Sequence, residues 1–299
     1  MLKISASPVI GVDAGLTKRE SAAAMKAAGF DGVDIPMRME DFDASLPDLT
    51  EEKQIAGIKE YAAAARDAGL ALAQCHLPYY PGHFPDPGDG SKEAFAELML
   101  PIYHRALDVC AEIGCRTAVM HPYFDIHSKE NCVEGNLLIL RELLPQMKKS
   151  GVRVALENVY ASRDRMYIPA ISQPETAVEV IEALGSPLVG ACLDTGHSNI
   201  AGNDICEAAR KLGSHLIALH IHANNGSDDH AIPYSITNDS RRLDFHRFSS
   251  VLYEIGYTGY YNLEVHGVCF FASAVLPYYQ YAAATASFLA NEGQPKEEN

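Results

Sequence analysis

VRVALEN, residues 152–158, is a short apolar run that starts just after Gly151 and closes on a carboxylate. It is too short to be an amphipathic helix and too continuously apolar to be a strand with one wet face. A run of that kind suits a parallel strand covered on both sides. Seven more segments have the same character: KISASP (3–8), GVDIPM (32–37), LALAQCH (70–76), RTAVMH (116–121), VGACLDT (189–195), LIALHIH (216–222) and YYNLEVH (260–266).

Stretches with helical periodicity separate them, among them 17–29, 51–69 and 92–114. Gly29, Gly69, Gly114, Gly151, Gly185 and Gly256 stand where those helices should stop, as left-handed terminators do. Eight strand–helix units with short joints predict a single-domain α/β fold, a (β/α)8 TIM barrel over residues 1–290. An open doubly wound sheet is the competitor, and the count of units favours the barrel. NEGQPKEEN, 291–299, reads as a polar C-terminal tail.

Composition agrees with one large domain: 299 residues, 47% hydrophobic and 21% charged, supply a substantial core. A net charge of −15 repels phosphate backbones, and the basic pairs at 148–149 and 241–242 do not extend, so no nucleic-acid partner is expected. Seven cysteines without CxxC read as reduced thiols rather than a disulfide framework. There is no signal-peptide core and no apolar run of the roughly 20 residues a membrane span needs. The expectation is a cytoplasmic protein with no membrane partner.

The chemistry is concentrated where the strands end, at His76, His121, Glu157, Asp194, His222 and Glu264. In a barrel these ends meet at one mouth. Glu157, Asp194, His222 and Glu264 make a hard, oxygen-rich donor set suited to Mn²⁺, Mg²⁺ or Co²⁺, with Zn²⁺ also accommodated. A divalent cation would offset the repulsion among the carboxylates. Taken singly, each residue has a blander reading. Asp194 before Thr195 and Gly196 is equally an Asx turn or helix cap, and either glutamate alone is a loop hydrogen-bonder.

The pair at 220 and 222 lies on one strand face, with His220 read as a support behind the ligands or as barrel packing, because His222 lies nearer the mouth. Loops 78–91 and 223–242 are longer than their joints require. In the second, Asp228 and His230 are candidate extra ligands or solvated residues, and Asp229 is solvated. Asn224 and Asn225 fix a substrate hydroxyl or form turns. Tyr79, Tyr80, His83 and Phe84 offer a wall against a sugar ring or pack on a neighbouring loop. Arg163, Arg165, Arg241 and Arg242 grip an anion or form surface salt bridges. The GxGxxG, GxxxxGK[ST], HExxH and GxSxG signatures are absent.

ALENV (155–159), CLDTGH (192–197), LHIHANNGSDDH (219–230) and NLEVH (262–266), in this order, resemble the xylose-isomerase-like barrel superfamily. That group holds sugar and sugar-phosphate isomerases and epimerases, inosose dehydratases and endonuclease IV. The resemblance implies one divalent ion, Mn²⁺ first, bound by Glu157, Asp194, His222 and Glu264. Glu157 and Glu264 would double as the acid/base pair, and His76, His121 and His197 would line the substrate. It implies a polyhydroxy ketone or sugar as substrate, and isomerisation or epimerisation first, with dehydration by a lyase second; assembly stays open, a homo-oligomer being one option.

An abasic-site endonuclease is the rival from another class. Its nine-ligand pattern can be traced through His76, His121, Glu157, Asp194, His197, His222, Asp228, His230 and Glu264. A noncatalytic carbohydrate-binding barrel is a third option. Two departures set the chain apart: IPYSITNDSRRLDF (232–245) stands where many members have a PGxG-type turn, and ANNGSD replaces the epimerase pattern GExxR.

Overall fold

All eight segments form parallel strands in the computed structural model: β1 Ile4–Ala6, β2 Gly32–Pro36, β3 Ala71–His76, β4 Thr117–Met120, β5 Arg153–Glu157, β6 Val189–Asp194, β7 Leu216–His220 and β8 Tyr261–Leu263. The described residues are 1–42, 51–79, 91–125, 128–160, 170–235, 243–266, 271–292 and 294, with side chains at 51–54 left aside. Around the strands run α1 Val9–Asp13, α2 Lys18–Ala28, α3 Glu51–Asp67, α4 Lys92–Glu112 and α5 Lys129–Ser150. They continue with α6 Pro174–Leu184, α7 Thr195–Ile200, α8 Ile205–Leu212, α9 Phe245–Glu254 and α10 Ala272–Glu292. The expected tail beyond 292 lies outside the described residues apart from Gln294.

The strands neighbour one another in the order β7-β6-β5-β4-β3-β2-β1-β8. The ring closes just past the end of β7, where Ile221 bridges Leu263, its amide donating to the Asn262 carbonyl at 2.9 Å and its carbonyl accepting from Glu264 N at 3.1 Å. This seam sets the backbone of His222 beside that of Glu264. All six expected helix terminators adopt positive φ, between 63° and 105°, which a glycine reaches without a Cβ penalty.

The main core lies between strands and helices. Inside the barrel the two halves differ. Val119, Ala155, Cys192 and Ala218 form a small apolar plug on β4 to β7. On β8, β1, β2 and β3 the inward residues are polar and bond one another: Ser5 Oγ donates to Asn262 Oδ1 at 2.7 Å, while Asn262 Nδ2 and Gln74 Nε2 both donate to Asp34 Oδ2, at 3.0 and 2.9 Å. These strands are therefore less apolar on their inner face than VRVAL led us to expect, and mutual hydrogen bonding makes the buried polar groups tolerable.

Two register shifts re-aim side chains. Between Val33 and Asp34 the pairing steps from Leu72 to Gln74, and between Ala191 and Cys192 it steps from Leu216 to Ala218. A bulge of this sort changes which residue faces inward. Here the first brings Asp34 level with Gln74.

Candidate functional site

Asp194 ends β6 and caps α7, its Oδ1 accepting from His197 N at 2.6 Å while Oδ2 stays buried with no protein hydrogen bond. Cap and candidate ligand are thus one residue using different oxygens. Asn158 brackets its backbone: Asp194 N donates to Asn158 Oδ1 at 2.7 Å, and Asn158 Nδ2 donates to the Asp194 carbonyl at 3.0 Å. The next strand is tied in by Thr195, whose Oγ1 accepts from His222 N at 3.0 Å and donates to the His222 carbonyl at 2.8 Å.

Glu157 is the last residue of β5 and His76 of β3, while His121 and Glu264 stand one residue past β4 and β8. The loop after β7 folds back through an antiparallel bridge between Ala223 and Ala231, which returns Asp228 and His230 to the mouth. His230 has φ 45°, a left-handed backbone costly for a residue with a side chain and common at functional sites. His266 N donates to the His230 carbonyl at 3.0 Å and holds that turn.

Three histidines present themselves alike. Nδ1 of His76, His197 and His230 lies 2.8, 2.9 and 2.9 Å from the carbonyl oxygens of Leu77, Asn158 and Glu264 respectively. Carrying the proton there leaves Nε2 of each ring free to face the mouth, the arrangement of metal-binding imidazoles.

The donor atoms gather in overlapping sets, each within 4.8 Å: His76, His121 and Glu157; His76, His220 and Glu264; Glu157, Asp194, His220 and Glu264; and His197, His222, Asp228 and His230. Of the four expected ligands, Glu157, Asp194 and Glu264 meet in one set with His220 as its imidazole. His222 lies in the adjoining set and touches Asp194, Nε2 to Oδ1, at 3.1 Å. His220, expected to support the ligands or to pack, has its Nδ1 3.2 Å from Glu157 and 3.3 Å from Glu264.

These approaches lack hydrogen-bond geometry. Both oxygens of Glu157, Asp194 Oδ2, Glu264 Oε2 and both ring nitrogens of His220 and His222 are buried without a hydrogen-bond partner among the described residues. Atoms this close that do not bond one another are aimed at the space between them, and the donor set fits a divalent cation.

Burial by itself would raise Glu157, but His220, His121 and His197 outweigh it and hold the carboxyl well below its usual range. Glu264 goes the other way, raised by burial and by the charge of Glu157 against the pull of His220. Burial, with neighbouring imidazoles adding to it, takes His121 down to about 3. His197 and His230 are driven up, to about 10 and about 9, because Asp194, Glu157 and Asp228 around them outweigh the cost of burial.

A cavity of about 350 Å³ opens beside these groups, lined among others by Asp34, His76, Tyr79, Glu264 and His266. Tyr79 stacks on His121 with ring centroids 4.4 Å apart. Asn224 is taken up within the protein, its Oδ1 accepting from Asn199 Nδ2 at 2.8 Å and its Nδ2 donating to the Gly196 carbonyl at 3.0 Å. Asn225 accepts from Ser227 N at 3.3 Å in a turn, and Asp229 is exposed. Tyr80, His83, Phe84, Arg163, Arg165, Arg241 and Arg242 lie outside the described residues. Sequence reasoning missed Asp34, Gln74, Asn262, Asn158 and His266. The legible signal was Asp34, a charge in the middle of an otherwise apolar strand.

A family model described as a xylose isomerase-like TIM barrel matches residues 22–290. Among curated relatives, an uncharacterised protein of Methanocaldococcus jannaschii is 28% identical over 178 residues, covering 58% of each chain. An inosose isomerase of Halalkalibacterium halodurans is 27% identical over 46% of each chain, and a probable endonuclease 4 of Mesomycoplasma hyopneumoniae is 31% identical over 36% of this chain and 41% of its own. The chain thus spans about half the length of the curated relatives it matches. Among solved structures, an L-ribulose 3-epimerase superposes with TM-score 0.73 at 17% identity over 100% of both chains. An IOLI protein with a bound zinc atom does so with TM-score 0.72 at 19% identity over 98% of this chain and 99% of its own. Among the described residues no helix is long and apolar enough to cross a membrane.

Proposed function

The chain belongs to the xylose isomerase-like TIM barrel family, and from that premise we propose a divalent-metal-dependent isomerase or epimerase acting on a sugar, sugar phosphate or cyclitol ketone. One observation carries the reading. Glu157 and Glu264 bring carboxylate oxygens within 4.8 Å of each other, with Asp194 and His220 in the same set, beside a cavity that Glu264 lines.

Glu157, Asp194, His222 and Glu264 would hold the ion, His222 joining the set through Asp194. Their oxygen-rich chemistry favours Mn²⁺, and the zinc atom of the IOLI structure keeps Zn²⁺ in view. A bound cation would supply polarisation of a carbonyl and its neighbouring hydroxyl, which makes the adjoining C–H more acidic.

The residues divide the proton work. Glu157, held ionised by its imidazoles, is set to take a proton from carbon, and Glu264, pushed toward its protonated form, to give one back. Return to the opposite face of the same carbon inverts it, and return to the next carbon isomerises. Loss of a hydroxyl from the neighbouring carbon instead gives dehydration, the lyase outcome. His76, His121 and His197 present ring edges to substrate oxygens, His197 as a cation. Incubating the Mn²⁺-loaded protein with ketoses and inososes in D₂O tests the reading: deuterium should appear at the carbon next to the carbonyl, and no incorporation across the panel sinks it.

A second reading has its own observation, the gathering of donors into several sets rather than one. More than one ion at the mouth would suit an abasic-site nuclease, and a relative bears the name endonuclease 4. About one ion per chain and no cleavage of an abasic duplex at low salt would remove it.

A further inference from the structure

We propose that Asp34 anchors a substrate hydroxyl, so that the ligand of this cavity is a polyhydroxy chain whose end remote from the reacting carbon donates a hydrogen bond to Asp34 Oδ1. The proposal rests on the catalytic reading for which end reacts. The subsite itself stands on geometry.

Asp34 stands on β2 opposite Gln74, just past the residue that β3 skips, and is 4% exposed while lining the cavity together with Glu264 and His76. Its Oδ2 is fully engaged, accepting from Gln74 Nε2 at 2.9 Å and Asn262 Nδ2 at 3.0 Å with His220 Nε2 at 3.5 Å. Asn262 is fixed in turn by Ser5. The carboxylate therefore cannot swing. Its Oδ1 is buried with no hydrogen-bond partner among the described residues, an arrangement native proteins reserve for an atom that finds its donor elsewhere.

The chemistry of that donor is constrained. An ionised carboxylate only accepts, so the group that meets Oδ1 must bring a proton. A phosphate or carboxylate brings none and is repelled, which places any anionic group of the substrate away from this end. Val9, Ile10 and Met37 line the same cavity, and their apolar surfaces suit the C–H faces of a carbon chain. The cavity itself links the two ends, since Asp34 and Glu264 both line it, with His220 packed between their carboxylates.

Xylitol tests this without turnover, because it has hydroxyls at both ends and no carbonyl. Calorimetric titration into the Mn²⁺-loaded protein should give saturable binding, and Asp34→Asn should weaken it about tenfold, since the amide can offer the hydroxyl only a neutral hydrogen bond in place of a charge-assisted one. Asn at this position keeps an acceptor toward Gln74 and Asn262 and turns the cavity side into a donor, so Mn²⁺ content and thermal midpoint should not change. Equal affinity in the two proteins, or no xylitol binding to the parent protein, overturns the proposal. Should the variant fail to fold, a crystal structure of the parent protein with xylitol decides: a xylitol oxygen within hydrogen-bond distance of Oδ1 supports the subsite, and one held elsewhere sinks it. Xylitol seated on Asp34 with no deuterium exchange in any ketose would end the catalytic reading and leave the subsite standing. Exchange at an unchanged KM in Asp34→Asn would do the reverse.

Discussion

The imidazole of His222 lies against the backbone of Gly196, so close that a Cβ placed on that glycine would stand 1.9 Å from His222 Cε1. Gly196 sits inside α7 directly after Thr195, which ties the two strands. The glycine of DTGH is thus the floor on which a candidate ligand rests.

Gly196→Ala should push His222 off its position and weaken Mn²⁺ binding by about 10- to 100-fold, the usual penalty for disturbing the support of a metal ligand. Calorimetric titration of the ion-free variant measures it, and an affinity equal to that of the parent protein would show that His222 does not ligate.

Glu157→Gln and Glu264→Gln should each lower turnover by about 10²- to 10⁴-fold, the range a positioned acid or base contributes. Deuterium exchange separates them further. Loss of exchange in Glu157→Gln identifies the base, while exchange that persists without product in Glu264→Gln marks the residue that returns the proton.

Metal affinity should rise with pH between about 7 and 10. In the ion-free protein His197 and His230, raised to about 10 and about 9, are positively charged at pH 7 and repel an ion entering beside them, a repulsion that fades as they lose their protons. The stabilisation these imidazolium groups give is fully present below the ordinary histidine value near 6.5 and is lost as pH climbs through 9 and 10. Titrations in two buffers of different ionisation enthalpy should report proton release on binding at pH 7, and release of none contradicts the assignment.

Asn158→Ala should cost about 2–3 kcal/mol, because it strips the Asp194 backbone N–H and C=O of partners in a buried setting. Chemical denaturation of the ion-free variant measures the loss. A change below about 0.5 kcal/mol would mean that other groups replace the amide, as at an unremarkable surface position.

The barrel was legible because parallel strands buried on both faces leave an apolar trace, and because six helix stops fell on glycines that take positive φ. The mouth was legible for a related reason: Glu157, Asp194 and His76 are final strand residues, and a barrel converts that repeated position into proximity. Gln74 was hidden because β3 skips a residue between Leu72 and Gln74, which alternation along a strand does not announce, and Asn262 because its bond to Asp34 crosses strands far apart in sequence. For His220 the sequence left its partners unnamed. Its rank below His222 along the strand was correct, but the narrowness of the interior that brings it to both glutamates is set by strands far away in sequence.

Between β7 and β8 the cylinder is held by little more than the Ile221–Leu263 bridge, and His222 and Glu264 flank that joint on opposite sides. An ion gripped by both would act as a clasp across the hoop, making capture of the cation and integrity of the wall a single equilibrium. Amide exchange at Ile221 and Glu264 would then slow when the clasp shuts, reporting the state of the mouth from the backbone itself.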